Sequence, residues 1–114
     1  MIRAGIIGGA GYTAGELIRL LINHPDVELQ WVHSSRNAGN LIADVHQGLI
    51  GDTYMRFTDQ TDWSAIDVLF CCTPHGETRR FLSAVQVPDD LRIVDLSTDF
   101  RIEDGTHDFV YGLP

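Results

Sequence analysis

The sequence predicts an α/β protein with a mostly parallel sheet and helices on both faces. Three observations predict it: continuous apolar runs typical of strands buried on both faces, amphipathic segments between them, and a glycine-rich turn after the first run. Strand, helix, strand, weak helix, strand, helix, strand is the order that right-handed crossovers produce in a Rossmann-like, doubly wound fold. A length of 114 residues suits one such domain, which we expect to span residues 1–114.

Four strands are predicted from the apolar runs. They cover Ile2 to Ile7, Val27 to His33, Ile66 to Cys72 and Leu91 to Leu96. A further short strand is expected between residues 54 and 57, where aromatic and apolar side chains interrupt a polar passage.

The first helix is predicted to begin at Thr13 and to end before Pro25. Thr13 and Glu16 form a T-x-x-E capping box, and Tyr12 and Leu17 lie at the two positions of a hydrophobic staple. Both signals predict the same helix start, directly after the glycine turn.

Two later helices carry weaker signals. Apolar spacing indicates one within residues 37–48, although Gly39 and Asn40 oppose it. A cap and a first-turn proline at Thr73-Pro74 predict the other. Residues 97–114 show no helical period, and so long an irregular end predicts that the chain is cut from a longer protein.

The turn GGAGYTAGEL has the composition of a phosphate-binding turn. Glycines without Cβ atoms let the backbone approach a pyrophosphate, and the positive end of the following helix favours the anion. If the capping box forms, the amides of Ala14 and Gly15 stay free for that anion. The candidate dinucleotide-binding residues here are Gly8, Gly9, Gly11, Tyr12, Thr13 and Ala14. The alternative is a glycine-rich loop with a purely structural role.

The end of the second strand indicates which dinucleotide binds. A site specific for NAD usually places an acidic residue there to hold the ribose 2′-hydroxyl. This chain instead has Ser34, Ser35 and Arg36. A guanidinium can clamp a 2′-phosphate with two hydrogen bonds, which favours NADP over NAD. The alternative is that Arg36 is an ordinary solvated loop charge.

Composition excludes several classes of partner. The formal net charge of −8 argues against a nucleic-acid partner. No apolar run approaches the roughly 18 residues of a membrane span, and residues 2–7 are too short for a signal peptide, so we expect no membrane partner and a cytoplasmic location. Cys71 and Cys72 are adjacent and point to opposite faces of a strand, which excludes an ordinary disulfide and favours small buried hydrophobes over nucleophiles. The histidines share no ligand spacing with the cysteines, so no metal site is predicted.

Two further segments are expected beside the turn, because ligands of open α/β sheets lie outside the carboxyl ends of the strands. Thr73, Pro74 and His75 follow the third strand and are predicted to flank the nicotinamide. His75 is either a proton carrier or a group that hydrogen-bonds the backbone.

Ser97 and Arg101 follow the fourth strand and are candidate ligands of a carboxylate or acyl phosphate. In the alternative, Arg101 pairs with Asp99 or Glu103 and fixes the loop. No nucleophile in the sequence stands beside a credible general base, so these residues predict binding without chemistry.

Five ordered motifs cover nearly the whole chain: GxxGYTAxEL at Gly8 to Leu17, HSSRNAG at His33 to Gly39, CTPHGET at Cys72 to Thr78, DLSTDFR at Asp95 to Arg101 and YGLP at Tyr111 to Pro114. Together they resemble the N-terminal part of the N-acetyl-gamma-glutamyl-phosphate reductases. Ala14 is a mild departure, since this small position is often Gly in that family.

The resemblance implies an NADP-dependent enzyme of arginine biosynthesis that reduces an N-acylglutamyl phosphate to its semialdehyde. It implies thiolate attack on the acyl phosphate, loss of phosphate to give a thioester, and hydride transfer from NADPH. The family's nucleophilic Cys lies in an NPGC-like motif shortly after YGLP, which places it past Pro114. The chain is therefore expected to hold no catalytic residue, to be inactive alone, and to form a homo-oligomer when full length.

Two alternatives stay open. A relative of aspartate-semialdehyde dehydrogenase would share the fold and the chemistry, although GYTAGEL and DLSTDFR favour the acylglutamyl branch. A stand-alone NAD(P)-sensing regulatory module would use the same turn without any reaction. The sequence also leaves open whether the acyl group is acetyl or succinyl.

Overall fold

A computed structural model describes residues 1–73, 80–82 and 87–96, and these form a four-stranded parallel sheet. Its strands are β1 (Ile2–Ile7), β2 (Val27–His33), β3 (Val68–Cys71) and β4 (Arg92–Asp95), in the order β2-β1-β3-β4. The predicted fold class is confirmed. β3 and β4 are shorter than predicted because pairing begins only at Val68 and Arg92, while Ile66 closes a preceding turn by donating its amide to the Trp63 carbonyl.

Two α-helices have complete bounds, α1 (Tyr12–Ile22) and α2 (Ile42–Val45), with short 3-10 turns at Gln47–Leu49 and Trp63–Ala65. The helix expected within residues 37–48 is thus only one turn long. No regular strand forms at residues 54–57, where Arg56 makes an isolated bridge to Leu41, and the next bridge, from Thr58 to His33, lies just after this range. Residues 80–82 are helical, whereas the predicted helix start at Pro74 lies outside the described residues. Within the described ranges, no helix combines the length and apolar character that crossing a membrane would require.

The predicted start of α1 is wrong by one residue, and its capping box does not form. The N-cap is Gly11, and no side chain caps the helix. Glu16 instead accepts a 2.7 Å hydrogen bond from Arg19, one turn further on. Tyr12 is 84% exposed, so it does not pack as a staple either.

Each face of the sheet carries its own core. Ile6 and Val32 belong to the cluster that packs against α1, whereas their chain neighbours Ile7 and Trp31 belong to the cluster on the opposite face. Cys72 and Cys71 divide between the two clusters in the same way. This two-sided burial explains why the strands read as continuous apolar runs.

Candidate functional site

A cleft of about 730 Å³ opens at the carboxyl ends of β1, β2 and β3. The chain leaves β1 toward β2 and then crosses back past β1 to β3, so the cleft lies where open α/β sheets bind ligands. The described residues that line it are Ile7, Gly8, Ala10, Gly11, His33, Ser34, Ser35, Arg36, Asn37, Cys72, Thr73, Arg80 and Phe81.

Gly8 and Gly11 serve the turn in different ways. Gly8 has φ +73°, and a Cβ there would lie 2.5 Å from the Thr73 amide nitrogen, so any other residue would strain the turn and force the backbone after β3 to shift. A Cβ at Gly11 would meet only the Cys72 carbonyl oxygen, at 4.0 Å. Gly8 therefore shapes the turn, while Gly11 leaves open space facing the cleft.

Gly9 lies behind the turn and does not line the cleft. Its amide donates to the His33 carbonyl at 3.0 Å, and a Cβ would overlap Val32. Tyr12, Thr13 and Ala14 also lie outside the lining, with Ala14 buried against the sheet. Their assignment to the cofactor stays a prediction.

The helix start nevertheless presents amides to the turn. The first hydrogen bond within α1 runs from the Gly15 amide to the Gly11 carbonyl, at 3.1 Å. The amides of Tyr12, Thr13 and Ala14 precede that bond and have no intrahelical acceptor. Gly15 was predicted to have a free amide, and that prediction is wrong because the helix begins earlier than the capping box indicated.

The segment after β2 lies in the cleft as a unit. Asn37 donates a 3.2 Å hydrogen bond to the Ser34 hydroxyl, and the Ser34 amide donates to Thr58 at 3.0 Å. These bonds hold the backbone that carries Ser35 and Arg36. Both of those side chains are exposed, and Arg36 makes no hydrogen bond or ion pair with any residue in the described ranges.

Several lining residues are not among the candidates predicted from the sequence, and Arg80, Phe81 and His33 contribute most to the chemistry of the cleft. Arg80 brings a second cation to the cleft, from a helical segment whose approach to β2 no local pattern reveals. Phe81 lies beside it, and its ring contacts the His33 ring at a centroid distance of 5.6 Å. Partial burial lowers the pKa of His33, with the Asp59 charge opposing the shift. At neutral pH the pair is therefore an uncharged aromatic wall.

His46 is a further residue that the sequence did not single out. Its Nε2 lies 2.6 Å from the Gly9 carbonyl oxygen and donates a hydrogen bond to it. The imidazole lies against Phe57, with ring centroids 6.2 Å apart. The one available signal was Gly15, a glycine inside a helix, because a Cβ there would lie 2.6 Å from His46 Nδ1.

Neither cysteine is a reactive thiol. Both are free and buried. Burial raises the pKa of Cys72 to about 12 and that of Cys71 further, and the Asp95 charge adds to both shifts. The thiols are protonated at neutral pH, so the cleft holds no thiolate even though Cys72 lines it.

The remaining candidates are divided by what the structure describes. Thr73 lines the cleft, as expected for a residue beside the cofactor, and its role stays a prediction. Pro74, His75, Ser97 and Arg101 lie outside the described residues. No group of His, Cys, Asp and Glu in the described part of the chain is arranged to hold a metal ion.

Comparisons with known proteins bear on the cleft's role. The family model described as semialdehyde dehydrogenase, NAD binding domain, matches residues 3–114. The N-acetyl-gamma-glutamyl-phosphate reductases of Bacteroides thetaiotaomicron and Phocaeicola vulgatus are 64% and 63% identical over 114 residues. These alignments cover 100% of this chain and 35% of each relative, so the chain spans about a third of their length.

A solved structure shares the fold. The crystal structure of aspartate semialdehyde dehydrogenase with NADP from Candida albicans superposes with a TM-score of 0.73, covering 90% of this chain and 31% of that one. Sequence identity is 21%.

Proposed function

Because the chain belongs to the family of semialdehyde dehydrogenase NAD-binding domains, we propose that residues 1–114 are the NADP-binding domain of an N-acyl-gamma-glutamyl-phosphate reductase. The names of the similar reductases support this branch of the family and favour acetyl as the acyl group. The observation that carries the proposal is the cleft itself, which joins the glycine turn to Ser34, Ser35 and Arg36.

The described cleft is suited to a dinucleotide phosphate. Gly11 leaves room for a pyrophosphate beside the first amides of α1, where the helix dipole favours an anion. Arg36 lies at the end of β2, where the 2′ position of the adenosine ribose is held in this fold. No acidic side chain is among the described lining residues, so nothing there opposes a 2′-phosphate. These features favour NADP over NAD.

The residues of this chain bind and orient, and the bound cofactor supplies the hydride that reduces the acyl group. Arg36 and Arg80 provide positive charge locally, against a formal net charge of −8 for the whole chain. The uncharged wall of His33 and Phe81 can pack against a flat heterocycle without adding charge.

We place the nucleophile outside this chain. Its two cysteines are buried on opposite faces of the sheet and have raised pKa values. Neither can therefore form the thioester of the proposed reductase mechanism. The length of the similar reductases, about three times that of this chain, supports this placement.

The test is the reverse reaction in the full-length protein that contains this chain. N-acetylglutamate semialdehyde, inorganic phosphate and NADP+ should give the acyl phosphate and NADPH. The reaction is measured by the absorbance of the NADPH formed. N-succinylglutamate semialdehyde tests the acyl group, and aspartate semialdehyde serves as the substrate control. Turnover of aspartate semialdehyde alone would support the aspartate-semialdehyde dehydrogenase alternative. NADPH binding without turnover of any aldehyde would support the regulatory module.

We also propose a cytoplasmic homo-oligomer with no nucleic-acid or membrane partner. The acidic net charge argues against a nucleic-acid partner, since a surface that binds nucleic acid needs concentrated positive charge. Light scattering on the purified full-length protein tests the oligomeric state, and a monomer would contradict it. Cell fractionation tests the location.

A further inference from the structure

We infer that His46 is a positioning residue for cofactor binding, which holds the Gly9–Ala10 peptide so that the Ala10 amide faces the cleft. The inference rests on the proposed function, because the positioned amide acts on the cofactor's pyrophosphate. His46 does not line the cleft itself, so it acts through the turn.

Both backbone polar groups of Gly9 are hydrogen-bonded, each to a different element of the fold. Its amide donates to the carbonyl of His33 at the end of β2, and its carbonyl accepts from His46 Nε2 at 2.6 Å. A short bond of this kind holds the carbonyl direction firmly. The ring that donates it is itself supported, because Phe57 packs beside it and the His46 amide at the end of α2 donates to the carbonyl of Ile42, the first residue of that helix.

The orientation of the Gly9 carbonyl determines that of the next amide. The peptide is trans and planar, so the N–H of Ala10 points in the direction opposite to the C=O of Gly9. The carbonyl points at His46, and Ala10 lines the cleft. The Ala10 N–H is therefore directed away from His46, and a flip of this peptide would present a carbonyl oxygen to the pyrophosphate instead.

Gly15 is an independent observation for the same arrangement. Glycine is less favourable than alanine inside a helix, so its presence in α1 needs a reason. The reason is the imidazole: a Cβ at position 15 would lie 2.6 Å from Nδ1 and 3.0 Å from Cε1 of His46. Glycine at position 15 therefore leaves the space in which the His46 imidazole approaches the turn.

The first experiment compares His46→Phe with His46→Gln in the full-length protein. Phe keeps an aromatic ring but removes the donor, whereas Gln restores an N–H donor at similar reach. Calorimetric titration uses NADPH and, as a probe without pyrophosphate, adenosine 2′-monophosphate. We expect His46→Phe to lower the affinity for NADPH by about 10-fold, or about 1.4 kcal/mol. The affinity for adenosine 2′-monophosphate should stay unchanged. His46→Gln should recover most of the loss.

Equal losses for both ligands, or no loss for NADPH, would overturn the inference, since a merely structural role does not distinguish the two probes. Failure of the wild-type protein to bind NADPH would instead refute the proposed function. The two failures are therefore distinguishable.

A second variant keeps the inference testable if His46→Phe does not fold. Gly15→Ala should displace the His46 ring and lower the affinity for NADPH to a similar extent, although alanine is the better helix former. In a His46→Ala background the same change should cost no further affinity and should raise the melting temperature. Gly48→Ala is the matched control, because a Cβ there meets nothing within 4 Å. Additive losses from Gly15→Ala and His46→Ala would contradict a shared mechanism.

Discussion

Replacing Arg36 with alanine tests the assignment of the 2′-phosphate. The guanidinium is exposed and makes no hydrogen bond or ion pair with the described residues, so its removal should leave the free energy of unfolding unchanged. A hydrogen bond to a charged group contributes about 1.5–3 kcal/mol, and solvent screening at an exposed site lowers this to about 1–2 kcal/mol. That range corresponds to about 5- to 30-fold in affinity for NADPH.

NADH lacks the 2′-phosphate, so its affinity should not change. The assay is calorimetric titration of the full-length protein and of Arg36→Ala with both cofactors. Arg92→Ala is the matched control, because Arg92 is also exposed but lies at the amino end of β4, away from the cleft. An equal loss of NADPH and NADH affinity, or the same loss in Arg92→Ala, would refute the assignment of Arg36 to the 2′-phosphate.

Three further predictions concern the turn and the core. Gly11→Val should abolish binding of both cofactors with the fold retained, since its side chain enters open cleft space; NADPH binding at wild-type affinity by calorimetry would contradict this. Gly8→Ala should cost about 1–3 kcal/mol in urea unfolding, because φ is +73° and the Cβ meets Thr73; an unchanged midpoint would exclude such strain. The raised pKa values of Cys71 and Cys72 predict that the free energy of unfolding falls as pH rises above about 9, where only the unfolded thiols ionise, and continues to fall toward about 12. A Cys71→Ala/Cys72→Ala protein should lose that pH dependence, as measured by urea unfolding between pH 7 and 11.

The strands could be predicted from the sequence because burial on both faces of the sheet requires apolar residues at consecutive positions. In β1, Ile6 and Ile7 enter different cores, so no polar residue interrupts the run. The ends of the strands could not be predicted as well, since Ile66 is just as buried as a strand residue although it lies in a turn.

The helix start shows why local motifs have limited power. The sequence contains a T-x-x-E box, but Glu16 has a second partner one turn away in Arg19, and the ion pair forms instead. Gly11 can adopt the extended conformation of an N-cap without any side chain. Two local solutions compete, and the sequence alone does not say which is lower in free energy.

Part of the candidate site could be predicted from the sequence and part of it could not. Ser34, Ser35 and Arg36 follow directly from the end of a well-marked strand, and the structure brings them to the glycine turn. His46 lies 37 residues from the carbonyl it contacts, after a helix of a single turn, so no spacing rule relates the two. Its contact is a product of tertiary packing.

A calorimetric comparison of NADPH and NADH binding to the full-length protein directly tests whether this cleft binds NADP. The cleft predicts tighter binding of NADPH by about 5- to 30-fold, the contribution assigned to the 2′-phosphate contact. Equal affinities, or a preference for NADH, would contradict the assignment of this cleft to NADP.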